Sequence, residues 1–374
     1  MSGAAQRDPR AGDLSADAPL VIVGGAGFIG ANLAESVLTE GGRVTLVDTL
    51  ARPGVERNLA WLVERHGERV RHVHADVRDG AALDAALVGA RGVVHLAAQV
   101  AVTTSLVDPV EDFSINAAGT LSLLEAVRRT NPRLPVVFAS TNKVYGDLAG
   151  SAMRETPDAY VPADAEIAAH GVSEAQPLDF HTPYGCSKGV ADQYVLDYAR
   201  SFGLRTAVMR MSCIYGPRQF GTEDQGWVAH FLIRALRGEE ITIFGDGKQV
   251  RDVLHVSDAV GAYRTALARI DEIAGGVFNL GGGPANAVSL RAVIDAIEEI
   301  SGPVRLDRAA WRQGDQLWFV ADTRRLETTL GWRARTGWRE GLADLARWLE
   351  NQDFLRAGAS PRPARATAER RLTA

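Results

Sequence analysis

Two side chains with acid–base chemistry, Tyr184 and Lys188, stand four positions apart in a segment with a helical pattern from 183 to 201. On a helix this separation places both side chains on one face, about one turn apart. A free tyrosine has a pKa of about 10, and an ammonium group within about 4–6 Å favours the phenolate. The spacing therefore predicts that Lys188 makes Tyr184 a usable base near neutral pH.

A hydroxyl group that can complete this pair belongs to Thr141, in the run Ser-Thr-Asn-Lys-Val-Tyr-Gly at 140–146. The run follows an apolar strand, and open parallel sheets bind ligands at the carboxyl ends of their strands. Thr141 can donate a hydrogen bond to a substrate oxygen while Tyr184 removes the proton from that oxygen. With nicotinamide as the hydride acceptor, Thr141, Tyr184 and Lys188 form a predicted catalytic set. Tyr184 and Lys188 are also predicted to contact the cofactor, where Lys188 can hold the nicotinamide ribose. Taken alone, the tyrosine and the lysine are equally typical of a surface helix.

A glycine-rich turn predicts where the dinucleotide binds. Gly24, Gly27 and Gly30 follow an apolar strand (20–23) and open a helix (28–39) with the spacing Gly-x-x-Gly-x-x-Gly. The first glycine permits a tight turn, and the second lets backbone N–H groups approach a pyrophosphate. The third glycine allows close packing of the helix on the sheet.

Acidic side chains at the ends of the next two strands predict the adenosine site. Asp48 ends the second strand, where it can accept hydrogen bonds from the ribose hydroxyls. A carboxylate would repel a 2′-phosphate and so favours NAD over NADP, although the nearby Arg52 weakens that preference. Asp76 and Val77, after the third strand, are placed to hold the adenine edge, or Asp76 caps the helix that follows.

These residues need a scaffold, and the apolar pattern predicts a doubly wound parallel α/β sheet of the Rossmann type. Short β-branched runs alternate with helix-length segments, which is typical of βαβ crossovers. The second half repeats the alternation and predicts a smaller C-terminal α/β substrate lobe. We expect four regions: a disordered tail (1–18), a mainly NAD-binding domain (19–200), a mainly substrate-binding lobe with the chain crossing back to the sheet (201–352), and a disordered basic tail (353–374). The stretch 147–180 shows no period and predicts a long loop beside the site.

Composition excludes several classes of protein. The chain has 41 Lys and Arg against 46 Asp and Glu, a net charge of −5, which disfavours a nucleic-acid partner. Two cysteines cannot form a disulfide framework, which favours a reducing compartment. No apolar segment is typical of a signal peptide or a membrane span, so we expect a soluble cytoplasmic enzyme. We predict no metal site.

Five stretches carry a resemblance to a known family. They are 95–105, 140–146, 184–188, 216–227 and 247–255. The chain resembles the extended short-chain dehydrogenase/reductase family, and within it the CDP-tyvelose (CDP-paratose) 2-epimerase branch, collinearly from about 19 to 350. The resemblance implies an isomerase of carbohydrate biosynthesis that holds NAD tightly. This nucleotide-sugar epimerase would oxidise C2 of the sugar to a ketone and reduce it again on the other face.

The resemblance also implies roles for further residues. On the cofactor side these are Phe28, Ile29, Leu96, Ala97, Ala98, Gln99 and Asn116. On the nucleotide-sugar side they are Gln99, Thr103, Thr104, Ser105, Asn142, Lys143 and Gln219, with Arg218 and Arg251 clamping the diphosphate, a task that suits a guanidinium fork. The two arginines could instead form surface salt bridges, and 103–105 could be a plain hydroxyl-rich loop. Family members pair through two helices per subunit, which implies a homodimer, possibly a tetramer, through a four-helix bundle of segments 113–130 and 184–201.

Three other functions compete with this interpretation. A 4-epimerase acting on a UDP- or GDP-sugar would use the same catalytic set, because the docking pose decides which hydroxyl faces Tyr184. A sugar-nucleotide 4,6-dehydratase is disfavoured, since Asn142 and Lys143 stand where such enzymes carry an Asp-Glu pair for elimination. A catalytically silent NAD sensor is disfavoured because both Tyr184 and Lys188 are present.

Overall fold

The fold is a computed structural model that describes residues 17–312 and 314–356. The strands are β1 (Leu20–Val23), β2 (Val44–Val47), β3 (Val70–Val73), β4 (Gly92–His95), β5 (Val136–Thr141), β6 (Met153–Glu155), β7 (Tyr160–Pro162), β8 (Thr206–Met211), β9 (Cys213–Tyr215), β10 (Ile241–Phe244), β11 (Val250–His255), β12 (Gly276–Leu280), β13 (Ala287–Ser289), β14 (Leu306–Ala309) and β15 (Trp318–Phe319). Of the predicted tails at 1–18 and 353–374, residues 1–16 and 357–374 lie outside the described residues. Residues 353–356 form a short helix with Leu355 buried, so the prediction of disorder is wrong for this part.

The α-helices connect these strands. They are α1 (Phe28–Thr39), α2 (Val55–His66), α3 (Gly80–Leu87), α4 (Val102–Val107), α5 (Pro109–Phe113), α6 (Gly119–Thr130), α7 (Ala165–His170), α8 (Thr182–Phe202), α9 (Trp227–Arg237), α10 (Val256–Ala268), α11 (Ile270–Ile273), α12 (Leu290–Ser301), α13 (Arg324–Leu330), α14 (Trp338–Glu350) and α15 (Asp353–Arg356). A π-helical turn (Ser114–Ala118) joins α5 to α6. Within the described part of the chain, no helix is long and apolar enough to cross a membrane.

Seven parallel strands form the central sheet in the order β12-β8-β5-β4-β1-β2-β3. The order reverses at β1, which lies between β2 and β4, and ligands of such sheets bind at the carboxyl ends of the strands beside this switch point. Strands β1, β2, β4 and β5 are buried along their whole length because helices cover both faces. The doubly wound parallel sheet predicted from the sequence is confirmed.

Alternation along β1 divides the core into two layers. Leu20 and Ile22 face a layer that contains α1 and α10, whereas Val21 and Val23 face a layer that contains α3, α6 and α8. The helix α8, which carries Tyr184 and Lys188, is therefore fixed by packing against the sheet.

A smaller lobe sits beyond the carboxyl ends of the main strands. Its sheets join β13, β11, β15 and β9 in one group and β10 with β14 in another. Helices α9, α12 and α14 pack on them around a separate apolar cluster. Strands β8 and β12 of the main sheet come from this half of the chain, so the chain crosses between the lobes more than once.

The segment 147–180 is more ordered than its sequence predicts. It contains an antiparallel hairpin of β6 and β7 and the short helix α7, which is capped by the Asp164 side chain. The hairpin strands have three residues each, too few for an apolar period to be visible. Tertiary bonds hold the segment, because the Tyr160 and Val172 N–H groups donate to the Lys248 and Val320 carbonyls.

Candidate active site and cofactor cleft

A cleft of about 570 Å³ opens at the carboxyl ends of β1 and β2. The residues predicted to contact a dinucleotide line it, with the exceptions described below. Those that line it are Gly24, Gly27, Phe28, Ile29, Gly30, Asp48, Arg52, Asp76, Val77, Leu96, Ala97, Ala98 and Gln99.

The glycine turn leaves no room for side chains. Gly24 has φ +82°, and a Cβ there would lie 2.5 Å from the Ala97 nitrogen. A Cβ on Gly30 would lie 2.4 Å from the Gly24 carbonyl oxygen, so this glycine lets α1 approach the turn. Helix α1 begins without a side-chain cap and without an acidic residue in its first turn. Its N-terminal N–H groups are therefore open to an anion, which fits a pyrophosphate.

The carboxylates of the cleft are already oriented. Asp48 accepts from the N–H groups of Ala26 and Leu50 at 3.0 and 2.9 Å, which fixes it beside the glycine turn. Asp76 accepts from the Arg78 guanidinium at 2.7 and 2.8 Å, and this hydrogen bonding lowers the pKa of the carboxyl. The cap of α3 is Asp79, so the alternative role of Asp76 as that cap is wrong.

Arg52 lies near both Asp48, which is predicted to meet the adenosine ribose, and the predicted catalytic base Tyr184. Burial lowers the pKa of its guanidinium, and the negative charges of Asp48 and of an ionised Tyr184 act against this lowering. A cation therefore stands close to the carboxylate that would meet the adenosine ribose, as the sequence indicated.

The side chain of Tyr184 is buried where the cleft meets a second cavity. Burial raises the pKa of its phenol to about 12, and the nearby Thr141 hydroxyl acts in the opposite direction. The Tyr184 N–H donates to the Ser105 hydroxyl at 3.1 Å, which anchors the first turn of α8. The structure thus brings Thr141 and Tyr184 together.

Lys188 lies one turn along the same helix face but is engaged elsewhere. Its Nζ donates to the Ala139 carbonyl at 2.7 Å and lies 4.2 Å from the centroid of the Phe138 ring. Burial lowers the pKa of Lys188 to about 7, opposed by the charges of Asp192 and Asp112. The Lys188 ammonium is not among the groups that shift the pKa of Tyr184, because it points to the backbone of β5.

A buried polar network behind the cleft holds Gln99. Asn116, in the π-helical turn, accepts from the Gln99 N–H at 2.9 Å and donates to the Gln99 carbonyl at 3.0 Å. Asp112 accepts from the Gln99 side-chain amide at 2.8 Å and from the Ser187 hydroxyl. Asn116 does not line either cavity and supports Gln99 from behind. The sequence analysis missed Asp112, which has no motif of its own.

The second cavity, of about 460 Å³, lies between the two lobes. Of the predicted substrate residues, Thr103, Thr141, Asn142, Lys143, Gln219 and Arg251 line it, together with Tyr184. Gln219 lines both cavities, so it marks their junction.

Basic side chains line this cavity, together with three carboxylates that pair with two of them: Asp315 with Arg251, and Glu223 and Asp224 with Arg312. The Lys143 Nζ donates to the Gly314 carbonyl at 3.0 Å, and burial together with the charge of Arg251 lowers its pKa to about 8. Arg251 donates to Asp315 at 2.6 Å. Arg312, which the sequence analysis missed, also lines the cavity with its guanidinium 3.7 Å from the centroid of the Phe244 ring.

Asn142 is fixed by an amide pair. Its Nδ2 donates to the Gln316 Oε1 at 3.2 Å, and Gln316 donates to the Gly146 carbonyl at 2.5 Å. The two positions after Thr141 thus present an amide and an amine to the cavity. Neither can act as the carboxylic acid or carboxylate of an elimination reaction.

Besides Asn116, five predicted side chains lie elsewhere than expected. Arg218 lines the cofactor cleft rather than the substrate cavity, because its left-handed backbone (φ 72°) directs it onto the Trp61 ring, 3.6 Å away. Thr104 and Gln99, both predicted on the nucleotide-sugar side, also line only the cofactor cleft. Ser105 and Lys188 line neither cavity, since their polar groups bond to backbone behind the site.

The chain is similar to a family model and to several known proteins. The model of the NAD dependent epimerase/dehydratase family matches residues 20–281. The chain is 42% identical over 340 residues to a CDP-paratose 2-epimerase of Salmonella typhi, covering 89% of this chain and 99% of that protein. It is 30% identical over 339 residues to a putative UDP-glucose 4-epimerase of Methanocaldococcus jannaschii, with the same coverage of 89% and 99%.

The chain is also similar to solved structures of nucleotide-sugar enzymes with NAD bound. A Thermus thermophilus UDP-glucose 4-epimerase in complex with NAD superimposes with a TM-score of 0.74 at 30% identity, covering 89% of this chain and 99% of that one. The dTDP-glucose 4,6-dehydratase DesIV of Streptomyces venezuelae, with NAD bound, gives 0.77 at 28% identity, covering 90% and 98%.

Proposed function

This chain belongs to the NAD dependent epimerase/dehydratase family, and on that premise we propose that it inverts C2 of a hexose linked to a nucleoside diphosphate, of the CDP-paratose/CDP-tyvelose type. It is an NAD-dependent enzyme. The observation that carries the proposal is the pair Asn142 and Lys143 directly after Thr141, in a chain so similar to a 2-epimerase. The site keeps the groups for oxidising an alcohol and lacks, at those two positions, the groups for eliminating water.

Thr141 and Tyr184 are placed to remove and return the proton of the reacting hydroxyl. Thr141 and Tyr184 line the same cavity, so a substrate hydroxyl placed between them can pass its proton to Tyr184 and later recover it. The glycine turn and Asp48 would hold NAD, which would supply the acceptor, and later the donor, for the hydride of the same carbon. Proton and electron pair both return, so the net redox change is zero and the sugar differs only in configuration.

The tyrosine must be ionised to act as the base. With a pKa raised to about 12, its phenol is protonated near neutral pH in the free protein. Arg52 and Thr141 already oppose that rise. The positive charge of the nicotinamide ring and a Lys188 released from Ala139 would act in the same direction.

The basic residues of the second cavity supply an anchor for the substrate. Lys143, Arg251 and Arg312 line the cavity that Tyr184 also lines, so a diphosphate held by them would leave the attached sugar beside the catalytic pair. The keto sugar must present its other face before it is reduced, which requires rotation about bonds to the fixed diphosphate. A firmly held diphosphate and a loosely held sugar meet that requirement.

The experiment that tests the proposal is proton NMR of the purified protein incubated in turn with CDP-paratose, CDP-glucose, GDP-glucose and UDP-glucose, without added cofactor. Inversion at C2 is expected, without accumulation of NADH. Stoichiometric release of NADH would overturn the proposal. Inversion at C4 would favour the second candidate, a 4-epimerase, which the similarity to the Methanocaldococcus jannaschii protein supports.

We also propose that the protein is a homodimer. Exposed apolar side chains concentrate on α4, α5 and α8: Leu106, Val107, Val110, Phe113, Tyr194 and Phe202. These helices pack together, so a second copy related by a two-fold axis would bury the patch. Phe113 and Tyr194 of the patch belong to the two segments, 113–130 and 184–201, proposed to form a four-helix bundle with their copies. Light scattering after size-exclusion chromatography is expected to give twice the chain mass, or four times if dimers pair, and Phe113→Asp is expected to give monomers. A monomeric parent would contradict this.

For its compartment, we propose the reducing cytoplasm. Cys186 and Cys213 are free thiols, and Cys186 is exposed. An exposed free thiol is more typical of a reducing compartment than of a secreted protein. Fractionation of cells that express the full chain would test this.

A further inference from the structure

A short segment of the substrate lobe crosses the cofactor cleft. We call residues 217–220, which follow β9, the strap. Its residues Arg218, Gln219 and Phe220 line the cofactor cleft, although the segment leads into the substrate lobe. The strap therefore covers part of the cavity formed by the glycine turn and the ends of β1 and β2.

Two asparagines tie the strap to the helices of the main sheet. The Asn32 amide, on α1, donates to the Pro217 carbonyl at 3.0 Å. The Asn58 amide, on α2, is buried and donates to the Arg218 carbonyl at 3.3 Å and to the Ala26 carbonyl at 3.1 Å. One side chain thus joins the strap directly to the glycine turn.

Ring contacts hold the strap from both lobes. The Arg218 guanidinium lies 3.6 Å from the centroid of Trp61 on α2 and 5.8 Å from that of Trp348 on α14. Phe220 packs so closely on Gly54 that a Cβ there would lie 2.7 Å from its ring. Arg218 has φ 72°, a backbone conformation that residues other than glycine rarely adopt. The ring contacts of the strap offset the strain of this conformation.

Two buried acceptors in this region point to a ligand. The Asn58 Oδ1 and the Gln219 Oε1 have no hydrogen-bond partner among the described residues, and both side chains line the cofactor cleft. A buried carbonyl oxygen without a donor is unfavourable, and a ligand in the adjoining cleft can supply the missing donor. The hydroxyl and amide groups of a dinucleotide are such donors.

We propose that Arg218 is a cofactor-retaining residue: clamped by Asn58 and Trp61, it keeps the strap closed over the dinucleotide between the two halves of the reaction. The proposal rests on the proposed function, in which no second redox substrate regenerates the oxidised cofactor. A molecule of reduced cofactor that escaped in mid-reaction would leave a keto sugar stranded and the enzyme inactive. Release of the dinucleotide must therefore be slower than turnover, and the strap supplies the barrier.

The test measures release of NAD from the holoenzyme without any sugar. Alcohol dehydrogenase and ethanol trap the released NAD by reducing it, and the absorbance of the NADH formed reports the rate. We expect Arg218→Ala and Trp61→Leu each to release NAD about tenfold faster, the size expected from losing a partly buried cation–π contact. Arg218→Lys is expected to be intermediate because it keeps the charge without the planar fork. Arg264→Ala, which removes an exposed partner of Glu40, is the matched control and should release NAD at the parental rate.

Unchanged release from both Arg218→Ala and Trp61→Leu would overturn the proposal. Faster release in Arg264→Ala as well, or a lower melting temperature of the apo protein that accounts for the change, would also overturn it. Because no sugar is present, these results do not depend on which carbon is inverted. If NMR refutes inversion at C2 while the release rates behave as expected, the proposed function is wrong. The role of the strap in retaining NAD would still be supported.

Discussion

The buried Lys188 gives a prediction about stability that runs against its importance for catalysis. The folded protein lowers the pKa of this lysine from 10.5 to about 7 by burial. That difference corresponds to about 5 kcal/mol of free energy that opposes folding when the unfolded chain carries the charge. Replacing Lys188 with methionine keeps a similar shape and removes the penalty, but leaves the Ala139 carbonyl without its donor, which costs roughly 1–3 kcal/mol.

The pH dependence separates these two effects. Below about pH 7 the lysine is charged in both states, and the full penalty is present. Between pH 7 and 10.5 the unfolded chain binds one more proton than the folded protein, so the penalty falls by about 1.4 kcal/mol per pH unit. Lys188→Met should therefore stabilise the apo protein by about 2–4 kcal/mol at pH 7, and by about 2 kcal/mol less at pH 9.

Urea denaturation of the apo parent and of Lys188→Met at the two pH values measures this. Arg333→Met is the control, because its exposed guanidinium pairs with the exposed Glu327 at 2.8 Å, and such pairs contribute only about 0–1 kcal/mol. Its effect on the free energy of unfolding should be small at both pH values. A stabilisation by Lys188→Met that is equal at pH 7 and pH 9, or a loss of stability at pH 7, would contradict the account of Lys188 as a desolvated cation.

Three further predictions concern the catalytic and structural side chains. Tyr184→Phe should lower kcat by about 10²–10⁴-fold, because it removes the proton acceptor, while NAD still copurifies in parental amount; equal kcat in the variant would exclude this tyrosine as the base. Arg251→Ala should raise the KM for the nucleotide sugar about 10–100-fold by removing a charge-assisted donor, with no change in NAD content; an unchanged KM would place the diphosphate elsewhere. Asp192→Asn should cost about 3–5 kcal/mol in urea denaturation, since it leaves the buried Arg210 guanidinium without its carboxylate; a cost below about 1 kcal/mol would show that the pair adds little.

Local patterns made the main sheet and the glycine turn predictable. The strand β1 and the helix α1 have the predicted bounds, because the glycine turn at 24–27 separates them and Gly41 and Gly42 follow the helix. Gly24 and Gly30 could be assigned since the turn excludes any side chain, a constraint carried by the residue type itself.

Features fixed by distant contacts were not predictable. The hairpin of β6 and β7 depends on bonds to residues about ninety positions away, such as the one from Tyr160 to the Lys248 carbonyl. Arg312 and Asp315 enter the substrate cavity from a loop without a motif. Arg218 lines the cofactor cleft and not the substrate cavity, because its left-handed backbone cannot be predicted from the residue type.

The path of the chain through the main sheet has a consequence for synthesis on the ribosome. Strand β5 is buried along its whole length, and its outer neighbour β8 is made only after α8, with β12 later still. A nascent chain that stops near residue 200 would expose the apolar edge of β5, a template for pairing with other chains. The seven-stranded sheet can therefore be completed only when residue 280 has emerged. The first two hundred residues are thus a poor choice for expression as an isolated nucleotide-binding domain.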